Sequence, residues 1–174
     1  MEPVSGVCDG YSARFEGTVM SKNHYRSLSA VFPVILREKD GRTEVLLHRR
    51  ANTGYMDDMW DTAGSGHVDQ GETATHAVIR ECGEELGIRV KAEDLTFAHL
   101  SHNVATVKDD TYYNMYFFVQ KFEGEPSIRE PQKCSSMTWF DVERLPENMI
   151  AVRRADVLHC LRGEPYSEYV DERL

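Results

Sequence analysis

Glu81, Glu84 and Glu85 stand at i, i+3 and i+4, so on a helix the three carboxylates share one face and repel one another. The apolar period around them places all three in the last turns of that helix, beside the negative end of its macrodipole, where carboxylates are disfavoured. A hard divalent cation reverses the sign of each of these interactions, and oxygen-only ligands suit Mg²⁺ or Mn²⁺ rather than zinc. From Asp57 to Glu85 the chain has eight acidic residues and one basic residue, Arg80, a net charge of −7 over 29 residues. A solvated acidic face with Arg80 paired to one neighbour leaves the approach Gly64-Ser65-Gly66 and the isolated Glu72 unexplained. Mg²⁺ held by few protein carboxylates shares its remaining positions with water and phosphate, so the implied chemistry is charge control on a phosphate group.

Positioning such a cluster takes a helix and a sheet to hold it. Thr73 is placed to cap a helix running to Leu86, with Ala74, Val78, Cys82 and Leu86 recurring every four residues and Gly87 as the C-terminal stop. Upstream, two apolar runs from Leu28 flank Asp40-Gly41 and read as a β-hairpin, with Pro33 suggesting an edge or a bulge. The polar stretch from Ala51 to Gly71 reads as a loop, and connections of that length are usually functional. Downstream, strands are expected near Leu95–Val104, Tyr112–Phe122, of which Tyr112–Val119 reads as buried on both faces, and Met137–Phe140, followed by a helix capped by Asn148 and running through Cys160. The pattern predicts an α/β protein in layers, with residues 1–27 as an N-terminal extension, 28–162 as the domain and 163–174 as a C-terminal tail.

The whole chain of 174 residues has a length typical of one domain, and its net charge of −9 argues against nucleic-acid polymers and anionic lipid as partners. No apolar run is long enough to span a bilayer and the first residues lack signal-peptide character, so the expected location is cytoplasmic. Cys8, Cys82, Cys134 and Cys160 form no CxxC pair and read as reduced thiols.

Residues 66–88, GHVDQGETATHAVIRECGEELGI, resemble the Nudix box, G-x5-E-x7-R-E-U-x-E-E-x-G-U, with U an aliphatic residue. Gly66, Glu72, Arg80, Glu81, Glu84, Glu85, Gly87 and Ile88 are in register, and Cys82 at the first aliphatic position packs as a small hydrophobe. The lead-in with Trp60 and the segments around Trp139-Phe140 and Leu145-Pro146-Glu147-Asn148 extend the resemblance to roughly residues 28–160. It implies a Nudix fold, an α/β/α sandwich with a mixed sheet, and metal-dependent hydrolysis of a nucleoside diphosphate linked to another moiety.

By this resemblance Glu81, Glu84 and Glu85 hold Mg²⁺ or Mn²⁺ together with the carbonyl of Gly66. Arg80 orients a box carboxylate, Glu72 anchors the loop to the helix, His67 is structural, and Glu130 supplies a carboxylate from outside the box, with Asp109 and Asp110 as rivals. Arg49 and Arg50 can reach a terminal phosphate. Asn148 falls where some purine-triphosphate members read the base, and Tyr55, Phe32 and Tyr116 are candidates to stack on it. The expected substrate is a nucleotide, with nucleoside triphosphates ahead of ADP-ribose and dinucleoside polyphosphates, and a homodimer is compatible with the family. Two other readings are an isopentenyl-diphosphate isomerase, which needs a cysteine where this chain has Ser65, and a non-catalytic nucleotide-binding module, which commonly loses box glutamates that this chain keeps.

Overall fold

The computed structural model describes residues 26–105 and 110–171. Residues 1–25 of the expected N-terminal extension, and Asp109, lie outside the described residues, as does the side chain of Asp110. The hairpin forms as expected. Strands β1 (Leu28–Lys39) and β2 (Arg42–Arg50) pair antiparallel from Leu36↔Val45 to Lys39↔Arg42, and Asp40 and Gly41 both have positive φ, at 52° and 73°. Two successive positive-φ residues match the right-handed twist of the flanking strands.

The sheet is mixed. Short β3 (Trp60–Thr62) and β4 (Gly66–His67) arise within the expected loop, followed by β5 (Leu95–Ala105), β6 (Asp110–Val119), β7 (Cys134–Asp141) and β8 (Tyr166–Asp171). The main order is β3-β2-β1-β6-β5-β8, with β4 beside β1 and β7 beside β2. Parallel β1–β6 and β5–β8 pairs alternate with antiparallel β1–β2 and β5–β6 pairs. Thus Pro33 lies in an interior strand, neither at an edge nor in a bulge. It falls where β1 changes partners, after Ala30–Val31 pair with β4 and before Leu36–Lys39 pair with β2, so its missing N–H interrupts neither ladder. Strand β8 lies within the segment read as a C-terminal tail. Strand β6 is buried on both faces along most of its length, with Tyr113 turned outward.

Alternation along β1 builds two apolar cores. Val31 and Ile35 pack with Leu46, Phe117 and helix α1 (Ala74–Leu86), whereas Phe32, Val34 and Leu36 pack with Val45, Leu47, Tyr116 and helix α2 (Ala151–Leu161). The result is the expected α/β/α sandwich. Cys82 is fully buried on the α1 side, as its box position requires. The described cysteines are free thiols, and no helix among the described residues is long and apolar enough to cross a membrane.

Helix α1 begins and ends where its sequence signals stand. The Thr73 side chain accepts a hydrogen bond from the His76 N–H, and Gly87 is left-handed at φ 68°. The last carbonyls of α1 find outside donors, since the Ser127 and Arg129 amides bond to Leu86 O and Glu85 O at 2.9 and 3.0 Å. This tether brings Glu130 to the end of the helix. The expected Asn148 cap does not form, and the helix starts from Ile150 with no side-chain cap. The backbone groups of Asn148 and Ile150 instead pair with Trp60, which delays the first helical turn.

A Cβ on Gly87 would approach the Arg129 guanidinium at 2.5 Å, in a backbone conformation that L side chains disfavour. Gly87→Ala is expected to lower unfolding free energy by about 1–2 kcal/mol or more in urea titrations, with the larger value reflecting displacement of Arg129.

Candidate active site

Arg80 is the only Lys or Arg in the acidic segment, and it collects the carboxylates around itself. Its Nε and Nη2 donate to the two Glu72 oxygens at 3.0 and 2.9 Å, its Nη1 donates to Glu81 at 2.6 Å and Glu84 at 3.3 Å, and Nη2 also reaches the His67 carbonyl at 2.9 Å. A bidentate guanidinium fixes carboxylate orientation as well as charge. Glu72 also accepts from the Asp69 N–H, so it ties the loop to α1, and the two contacts hold its carboxyl at about 2. The Glu72 contact is the leading cause of an Arg80 guanidinium held above its ordinary range.

Glu81 and Glu85 sit deeper. Burial pushes both carboxyls upward, and Glu85 reaches about 7, with Glu81 and Glu130 adding repulsion. Glu85 Oε2 is buried with no hydrogen-bond partner. Glu130 shares a small cleft with Glu85 and Lys133, and Lys133 Nζ lies 2.9 Å from its carboxylate. Among the described residues no three His, Cys, Asp or Glu side chains converge as a metal site. Arg80 holds Glu81 and Glu84 in this arrangement.

The donor chemistry nevertheless fits a hard cation. Every candidate ligand is an oxygen, the partnerless Glu85 oxygen is the kind of buried group that a cation satisfies, and the Gly66 backbone lies so close to Glu81 that a Cβ there would run into the carboxylate. Gly66 is therefore needed for space, with its backbone against a candidate ligand.

A cavity of about 490 Å³ extends from Glu85 and Gly66 to the start of α2 and the ends of β5, β6 and β8. It opens where β1 and β2 diverge, since β1 pairs with β2 only from Leu36 onward. Of the residues expected to bind substrate, Arg50 lines it and Arg49 and Asn148 do not. Arg49 Nε and Asn148 Nδ2 both donate to the Asp58 carbonyl, at 3.0 and 3.3 Å, and so clasp the loop after β2. Arg50 is engaged by Asp61 at 3.3 Å and by the Tyr55 carbonyl at 2.9 Å.

Two of the aromatic candidates are unavailable for stacking. Tyr116 is fully buried, and Phe32 is covered by Tyr116 with centroids 5.0 Å apart and by the Arg153 guanidinium at 3.9 Å. Tyr55 lines the cavity and remains 41% exposed. His67 lines it too, with Nε2 3.2 Å from the Tyr112 hydroxyl.

Several cavity residues carry no local sequence signal. His48 Nε2 and Asn114 Oδ1 are buried without partners, and burial pushes the His48 imidazole down, keeping it neutral. Arg153 and Arg50 approach the buried Asp61 from two sides at 3.5 and 3.3 Å. Only the alternation HxR in β2 hinted that His48 shares a face with Arg50.

A mixed sheet between two helices, with glutamates gathered on the loop–helix segment from Gly66 to Ile88, is the arrangement of NUDIX domains, and the NUDIX domain family model matches residues 27–160. The chain belongs to that family. An 8-oxo-dGTP diphosphatase of Escherichia coli K12 is 32% identical over 111 residues, which cover 62% of this chain and 81% of that protein. The NAD-capped RNA hydrolase NudC of Deinococcus radiodurans is 29% identical over 145 residues, 79% of this chain and 47% of its own length. The chain spans less than two thirds of several such relatives, 33% of one from Caenorhabditis elegans and 62% of one from Rhodococcus erythropolis. The crystal structure of a MutT NUDIX hydrolase from Burkholderia pseudomallei superposes with a TM-score of 0.66 at 24% identity, covering 79% of this chain and 98% of that one, which shows the fold.

Because Glu85 titrates near 7 when folded against an ordinary value of 4.5, the folded protein keeps a proton that the unfolded chain has lost between those pH values. Stability therefore falls as pH rises through that window and stays lower above it, by on the order of 3 kcal/mol. Glu85→Gln is expected to recover most of this difference in urea unfolding at about pH 8 with a chelator present, and to show little gain near pH 4.

Proposed function

We propose that this chain is a metal-dependent pyrophosphohydrolase acting on a nucleoside diphosphate linked to another moiety, with nucleoside triphosphates the favoured class. The observation that carries this reading is the packing of Gly66 on Glu81 beside the partnerless oxygen of Glu85, at one end of a cavity large enough for a nucleotide. Glu81, Glu84, Glu85 and the Gly66 carbonyl would hold Mg²⁺ or Mn²⁺. When bound, such a cation neutralises diphosphate oxygens and acidifies water, which is most of what phosphoryl transfer needs.

The chain's own residues supply the rest. Arg80 holds Glu72, Glu81 and Glu84 in one frame, so removing it frees the loop and two carboxylates together. Glu130, tethered near Glu85 by the Ser127 and Arg129 amides, would take a proton from attacking water. Arg50, Arg153 and Lys133 line the cavity and would face the phosphates, with Asp61 shared by the two arginines and Glu130 beside Lys133. Likeness to a diphosphatase of 8-oxo-dGTP over most of that enzyme's length supports a triphosphate substrate ahead of ADP-ribose.

A panel of nucleoside triphosphates, nucleotide sugars and dinucleoside polyphosphates, assayed with Mg²⁺ or Mn²⁺ in oxygen-labelled water, tests the reading and identifies the phosphorus attacked. Turnover is expected to vanish with a chelator, and Glu84→Gln and Glu85→Gln should each reduce kcat by roughly 100-fold or more. A folded wild-type protein that cleaves nothing in the panel, or glutamine variants that keep their rate, would overturn it.

A further inference from the structure

The NUDIX match ends at residue 160, yet the cavity continues beyond it. Strand β8 lies along β5 in parallel register with Asn103 opposite Tyr169, and both residues line the cavity. Among the described residues, Asn103, Val104, Ala105, Tyr112 and Tyr169 make a wall without a charged group, whereas the cavity's Arg50, Arg153 and Lys133 belong to β2, α2 and the segment before β7. In the floor beside this wall, Asn114 is 2% exposed and its Oδ1 has no partner. An uncharged aromatic wall with one buried acceptor suits a flat, N–H-bearing heterocycle better than a phosphate.

Strand β8 is held firmly enough to act as a wall. The imidazole of His99, fully buried, reaches the Glu164 carbonyl at 2.7 Å and Ser167 Oγ at 2.8 Å, and Ser167 lies 3.4 Å from the buried carboxylate of Asp156. Tyr116 donates to the other Asp156 oxygen at 2.7 Å, and the Leu100 N–H donates to the Pro165 carbonyl. These bonds join β8 to β5, β6 and α2, the elements around the cavity.

We propose that β8 is a specificity element of this chain, in which Tyr169 forms the wall for the nucleobase of the substrate and Asn114 Oδ1 accepts a hydrogen bond from a ring N–H. This rests on the nucleotide substrate of the proposed function, but it concerns binding and can be read without turnover.

Calorimetric titration of the metal-free protein with AMP, GMP, CMP, UMP and ribose 5-phosphate is the test. For the wild type, at least one mononucleotide is expected to bind about tenfold or more tightly than ribose 5-phosphate, since base–aromatic contact is worth roughly that much. Tyr169→Ala, at a position 39% exposed and so tolerant of truncation, should shrink that ratio by about tenfold, and Tyr169→Phe should preserve it. Asn114→Leu, which removes the acceptor and keeps an apolar floor, should shrink it as well. An unchanged ratio in Tyr169→Ala, equal losses for ribose 5-phosphate and the nucleotides, or no preference in the wild type would overturn the inference. A protein that hydrolyses nucleotides while failing this test retains the proposed function and loses only the role of β8. One that shows the binding pattern without turnover does the reverse.

Discussion

Three carboxylates crowded onto the C-terminal turns of one helix oppose both their mutual repulsion and the helix dipole, and in this protein Arg80 holds that arrangement together. One guanidinium reaches Glu72, Glu81, Glu84 and the His67 carbonyl, so the loop before α1 and the acidic face of α1 share one counter-charge. Arg80 does not reach Glu85, whose buried oxygen stays without a partner. The site is thus compensated on its outer side and uncompensated within, and the uncompensated part faces the cavity. A cation arriving there would meet the group most costly to leave as it is.

The divided pairing of β1 places this helix end near the rest of the cavity. With its first half beside β4 and β6 and its second half beside β2, β1 lets the sheet part between Gly66 and His48. Pro33 marks the change of partners. Through the same opening Gly66 and Glu85, from the loop and helix α1, and Ala30, Phe32 and Arg153, from the α2 side, line one space.

Much of this was legible in the sequence, for local reasons. Thr73 and Gly87 bracket a regular apolar period, so α1 could be read almost to the residue, and Asp40-Gly41 announced the hairpin. Glu81, Glu84 and Glu85 were visible as a cluster because helical spacing alone brings them together. Glu130 comes near Glu85 through backbone bonds from Ser127 and Arg129, which no spacing rule predicts. Asn148 had the right side chain for a cap and lost the role because Trp60 claims the neighbouring backbone groups. Strand β8 was missed because YSEYVD mixes polar and charged residues, and its pairing partner β5 is distant in the chain. His48, Asn114 and Arg153 acquire their places only when strands from separate parts of the chain meet, so composition could not single them out.

The position of β8 at the end of the sheet order also bears on self-association. Among the described residues β8 is an edge strand, and with exposed Tyr166, Tyr169 and Val170 it offers both a hydrogen-bonding ladder and apolar contact to another copy. Strand β8 carries Glu168 and Asp171 in its six residues, on a chain whose net charge is already −9. Charged residues on an edge strand disfavour its pairing with another copy. The strand that walls the cavity is thereby guarded against continuing the sheet into a neighbouring molecule.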